Sequence, residues 1–151
     1  MSFRHFYFED YEPGQTMKAA GITLTETDVI DFAFQYDPQP FHIDKLAAEE
    51  SMYGGLIASG WQVAILGFRM LVQAGLVGDA SMGGAGQKNM QWVKPVRPGD
   101  TLYASAEVLE TRQSRSKPDR GFVEVAFRIH NQDEVLVCHW QATHICKVRS
   151  A

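Results

Sequence analysis

The spacing of apolar residues changes partway along this chain, dividing it into a helical first half and a strand-rich second half. Val29, Phe32, Ala33 and Tyr36 recur at i, i+3, i+4 and i+7, the period of one helix face. Thr25 is a good N-cap ahead of them, and Asp28 three residues on completes a box-like start. This helix must stop at Asp37, because Pro38 disfavours the helical conformation of its predecessor and Pro40 extends the break. Asp44 is placed to cap a second short helix to roughly Met52, closed by a turn at Tyr53-Gly54-Gly55. A third helix starts at Ser59-Gly60-Trp61-Gln62, with Ser and Gln in capping-box spacing. From Trp61 to Ala74 it is apolar almost all round, with Gln62, Arg69 and Gln73 on one narrow stripe, which predicts a helix wrapped by other elements.

Strand character appears at Thr16 to Leu24 and then dominates the second half. Asn89 to Val96, Thr101 to Thr111, Gly121 to Asn131 and Val135 to Val148 are rich in Val, Ile, Phe, Tyr, Trp and Thr. Turns at Pro98-Gly99-Asp100, near Pro118-Asp119 and at Gln132-Asp133 separate them, and the glycine-rich stretch Gly75 to Gly86 reads as a loop. Gly83 to Lys88 has neither the spacing nor the Ser/Thr of a phosphate loop. With no repeat or linker, residues 1–151 read as one α+β domain in which an antiparallel sheet wraps the apolar helix.

Composition narrows the function classes. The chain has 151 residues, 45% of them apolar, enough for a core without metal or disulfide support. Nine Phe, five Tyr and three Trp predict an aromatic-rich core or partner surface. A net charge of −4 without a basic stripe argues against nucleic-acid binding. Met1 to Asp10 lacks the apolar region of a signal peptide, and Trp61 to Val72 is too short and too interrupted to cross a membrane. Cys138 and Cys146 are too few for a disulfide scaffold, and eight residues apart on one strand they cannot pair, so a cytoplasmic location is expected.

The densest reactive cluster is Asp37-Pro38-Gln39-Pro40-Phe41-His42-Ile43-Asp44. Two prolines fix φ and hold Asp37 and His42 in place. Asp37 at a helix end and His42 ahead of the next helix both have their charged forms disfavoured by the helix dipoles, which points to a protonatable acid beside a neutral base. The same residues also suit a plain helix-ending turn. His42 with Asp44 lacks a third ligand at metal-binding spacing. At Ser59-Gly60, free amides at a helix start could receive a developing oxyanion, or Gly60 could simply permit close packing. Arg112, Arg115, Lys117 and Arg120 cluster at one hairpin, suited to the phosphates of a carrier or to a solvated tip.

Several segments together resemble the MaoC-like dehydratases, (R)-specific enoyl-CoA hydratases of the hot-dog fold. Phe8-Glu9-Asp10-Tyr11 with Pro13-Gly14 is similar to the family's opening, and Asp37 to His42 resembles its D-x-N-P-x-H motif. Lys94-Pro95-Val96-Arg97-Pro98-Gly99-Asp100-Thr101-Leu102 resembles its P-V-x-P-G-D-T-L turn, and Asn131-Gln132 a common strand ending. The resemblance implies a hot-dog domain that forms a homodimer and acts on an acyl-CoA or acyl-carrier-protein thioester. It implies no cofactor beyond the coenzyme A of the substrate, and no membrane or nucleic-acid partner. Asp37 and His42 would hold the reacting water, and the Gly60 amide would polarise the thioester carbonyl. Gln39, Pro40, Phe41, Ser59, Trp61 and Phe68 would line the substrate site. Three positions depart from the pattern: Gln39 replaces Asn, Ser59 replaces the His before Gly60, and Phe68 is bulky where some hydratases are small and polar. A hot-dog thioesterase and a non-catalytic acyl-binding module are the alternative readings.

Overall fold

The structure, a computed structural model, describes residues 6–149; the expectation for Met1 to Asp10 therefore falls partly outside the described residues. Phe8–Asp10 forms one 3₁₀ turn, and the predicted first strand follows in two pieces, β1 (Thr16–Lys18) and β2 (Ile22–Thr23). Helices α1 (Glu26–Tyr36), α2 (Pro40–Ile43), α3 (Lys45–Glu50) and α4 (Gly60–Gln73) come next. Strands β3 (Ser81–Trp92), β4 (Thr101–Gln113), β5 (Arg120–His130) and β6 (Leu136–Lys147) complete the chain. The antiparallel sheet runs β1-β4-β5-β6-β3, with β2 also paired to β4.

The break between β1 and β2 has a geometric cause. Lys18 pairs with Ser105 and Ile22 with Leu102, so four steps on one strand face three on the other. The extra residue interrupts the ladder as a bulge does.

The largest departure from expectation is β3. The glycines of its first half, Ser81 to Gly86, predict a loop, yet it pairs with β6 from Ser81↔Cys146 onward. Glycines carry no strand signal, but the long partner β6 offers hydrogen bonds that override local propensity. Gly83 at φ 96° and Asn89 at φ 55° accompany the register shifts along this strand.

Helix α4 lies across the sheet's inner face, contacting β4, β5 and β6. Val63, Ala64, Gly67, Met70 and Leu71 are buried there against alternating Val123, Val125, Phe127 and Ile129 of β5. A Cβ on Gly67 would land on Ile129 Cδ1, so the helix approaches the sheet by virtue of that glycine. The expectation of a fully wrapped helix holds on this side only: Trp61 and Ile65 are more than half exposed. One sheet can cover only one face. Gln62, placed by sequence on the polar stripe, is buried instead and donates from Nε2 to the Asp28 carbonyl of α1 at 2.9 Å.

Candidate active site

Thr25 starts α1 with the predicted capping box, its hydroxyl accepting from the Asp28 amide while Asp28 accepts from the Thr25 amide. The helix ends with Asp37 as its C-cap. Pro40, expected only to prolong the break, begins α2 at its first position, where a missing N–H costs nothing. His42 therefore sits inside a one-turn helix rather than ahead of one. Asp44 caps α3, accepting from the Leu46 and Ala47 amides at 3.0 and 3.1 Å.

These short elements turn Asp37 and His42 toward each other. His42 Nε2 lies 3.3 Å from Asp37 Oδ2. The imidazole is buried, and its Nδ1 is 2.7 Å from the Ile57 carbonyl. A carbonyl only accepts, so Nδ1 carries a hydrogen and Nε2 is the atom left for exchange with the cleft.

The Asp37 carboxylate is held from three sides. The Ser59 hydroxyl donates to Oδ2 at 2.7 Å, and Gln39 Nε2 donates to Oδ1 at 2.7 Å. Burial pushes its pKa upward, but the bonds from Ser59 and Gln39 and the neighbouring His42 outweigh that, and it falls below the ordinary carboxylate value. This corrects the expectation of a readily protonated acid: specific hydrogen bonds outweigh the helix dipole. It also corrects the role foreseen for Ser59, which caps nothing with its side chain and spends its hydroxyl on Asp37.

Asp37 and His42 open onto a cleft of about 380 Å³ whose wall also includes Gln39, Phe41, Gly60, Trp61, Tyr53 and Trp92. Ser59 lies fully buried behind it, and Pro40 is exposed outside its wall. Phe68 is not part of that wall. It sits about 12 Å farther along α4, by the rise of a helix, stacked toward His144 and near Phe127. Sequence reasoning left three contributors unassigned. The Ile57 carbonyl and the Trp92 indole arrive through tertiary packing and carry no motif, while Lys94, in the cleft wall, lies in a segment whose pattern speaks only of a strand and the turn after it.

Two of the hairpin cations have partners of their own. Arg112 lies over the Phe122 ring at 4.6 Å and Arg120 pairs with Asp119. Cys138 and Cys146 are buried free thiols, each pushed up to about 11 by burial. Among the described residues, no helix is long and apolar enough to cross a membrane.

An antiparallel sheet curled about one helix, with its cleft at the helix start, defines a class of protein: the hot-dog fold. Residues 9–126 match the family described as MaoC like domain, and the chain belongs to that family. A solved MaoC-like dehydratase from Rhodospirillum rubrum superposes with a TM-score of 0.89 at 35% identity, covering 97% of this chain and 99% of that one. Uncharacterized protein YdeM of Bacillus subtilis is 30% identical over 139 residues, 92% of this chain and 97% of its own length. The (R)-specific enoyl-CoA hydratase of Rhodospirillum rubrum is 29% identical over 108 residues, 68% of this chain and 69% of its own. The family thus includes hydratases and dehydratases.

Proposed function

We propose that this chain adds water to a 2-enoyl thioester, or removes it from the corresponding (R)-3-hydroxyacyl thioester. The observation that carries the reading is the Asp37–His42 pair, 3.3 Å apart with every other polar atom of the pair engaged, facing a cleft that includes Gly60.

In the hydration direction, a water on the cleft side donates to both His42 Nε2 and Asp37 Oδ2. His42 Nε2 takes one proton as the water oxygen bonds to C3. The C2–C3 π electrons move toward the thioester oxygen, which becomes an enolate oxygen facing the Gly60 amide at the positive end of α4. Asp37 stays ionised, orients the water and balances the imidazolium. The proton then passes from His42 to C2, completing the addition and restoring the neutral imidazole.

The acyl group would be carried by coenzyme A or an acyl carrier protein; enoyl-CoA is the substrate printed in the name of the Rhodospirillum hydratase. The test is incubation with crotonyl-CoA, following loss of the conjugated enoyl absorbance and release of free thiol. Absorbance loss without thiol is expected. Thiol release would make the chain a thioesterase, and binding without either change would make it an acyl-binding module.

The reading includes a homodimer. Among the described residues β3 is paired only through β6, leaving a twelve-residue strand with one open edge. The exposed Trp61, Ile65 and Phe68 side of α4 is a second surface suited to burial. Light scattering that gave a monomer mass at micromolar concentration would refute this part.

A further inference from the structure

One polar group in the cleft wall has no role in the reaction as written. Trp92 is the last residue of β3, just past the register shift between Lys88 and Gln91 that re-aims the strand's end. It pairs with Cys138, a core residue, so its indole stands on the helix side of the sheet. The ring lies directly on Gly60. A Cβ at position 60 would come within 2.5 Å of Nε1, 2.6 Å of Cε2 and 2.8 Å of Cδ1, so the nitrogen-bearing part of the indole covers the glycine. Trp61 packs edge-on against the same ring, with centroids 5.0 Å apart and planes at 76°, restraining its orientation. Trp92 remains 44% exposed, and among the described residues no atom accepts from its Nε1–H.

An indole nitrogen is a donor only. Stacking on a glycine needs no N–H, since a phenyl ring would stack equally well. Adding a Cα–Cβ bond of about 1.5 Å to the contact above puts Nε1 within about 4 Å of Gly60 Cα. Two hydrogen-bond donors, the Gly60 amide and the Trp92 indole, thus both stand at the start of α4, in the wall of the cleft that Asp37 and His42 share. We propose that Trp92 Nε1–H is the second donor of the oxyanion site, sharing the thioester oxygen with the Gly60 amide. The inference rests on the thioester reading above and deepens it: the site recognises the carbonyl oxygen from a backbone and a side chain at once. Gly60 is then required for two reasons, a free amide and room for the ring.

The deciding experiment separates this from the hydratase reading by using a thioester that cannot be hydrated. Infrared difference spectra of butyryl-CoA labelled with carbon-13 at the carbonyl report polarisation directly. The wild-type protein should lower the bound carbonyl frequency, Trp92→Phe should give back part of that shift, and Trp92→His, which keeps a ring N–H, should retain more of it. With crotonyl-CoA, Trp92→Phe should lose about 100-fold in kcat while KM changes little. A Trp92→Phe protein with the wild-type carbonyl shift overturns the proposal, whatever its turnover. Absence of any carbonyl shift in the wild-type protein also overturns it. A Trp92-dependent shift in a protein that does not hydrate crotonyl-CoA upholds the second donor and removes the hydratase reading alone.

Discussion

Gly60 and Gly67 lie seven residues apart on α4, and a Cβ on either would strike an aromatic or aliphatic neighbour, yet their surroundings differ in kind. At Gly67 the neighbour is Ile129, fully buried, with Trp140 beyond it. The three nearest atoms are all side-chain carbons, and the missing side chain lets helix and sheet approach. At Gly60 the neighbour is the half-exposed Trp92 indole, and Asp37 and His42 share the cleft. The same residue type therefore seals the core in one turn and shapes a polar cleft two turns earlier. A glycine in a helix is informative through what occupies the space its side chain would have taken.

The sharpest way to test this division is to separate activity from stability. His42→Gln and Asp37→Asn should each lower kcat/KM for crotonyl-CoA by about 10²–10⁴-fold, while circular dichroism melts show the fold retained. If both variants turn over like wild type, the start of α4 is packing like its middle, and the comparison fails. Gly67→Ala should behave oppositely. Overpacking against Ile129 should cost about 1–3 kcal/mol in urea unfolding, with kcat nearly unchanged at temperatures where the variant is folded.

Ser59→Ala is subtler. Wild-type Asp37 is held below the ordinary carboxylate pKa, so its charge survives as pH falls through the range of about 4 where a free aspartate protonates. Its contribution to stability is full above that range and is lost only as pH falls through the lower folded value. Removing the Ser59 donor should move the Asp37 carboxyl titration, followed by carbon-13 NMR, to higher pH, leaving neutral-pH activity less affected. Because the bond is buried and made to an ionised carboxylate, neutral-pH melts should also show a loss of about 1–3 kcal/mol. The smallest effect belongs to Gln62→Met. It removes one bond to the Asp28 carbonyl and also a buried Oε1 that has no partner among the described residues, so the net change should stay within about 1 kcal/mol.

What could be read from sequence followed the range of the interaction. The Thr25–Asp28 box and β4, β5 and β6 depend on neighbours within a few residues or on simple alternation, and they were legible. The first half of β3 was not, because Gly83, Gly84 and Gly86 signal a loop while the pairing that makes a strand lies some sixty residues away on β6. Asp37 and His42 could be singled out from a proline-stiffened loop. Their geometry could not, because it is set by Ser59 and Ile57, 22 and 15 residues distant. Ser59 shows the conflict most plainly: local rules assign its hydroxyl to the helix start, and the tertiary structure gives it to a carboxylate.

The bond from His42 Nδ1 to Ile57 is made to a backbone oxygen, not to a side chain. Every amino acid at position 57 supplies that oxygen. The choice of imidazole tautomer is thereby removed from the reach of point mutation at its own partner, and a saturation screen should register Ile57 as tolerant of apolar replacements that fit. Drift in sequence can erode Gln39 or Ser59 one codon at a time, whereas this restraint is inherited with the path of the chain.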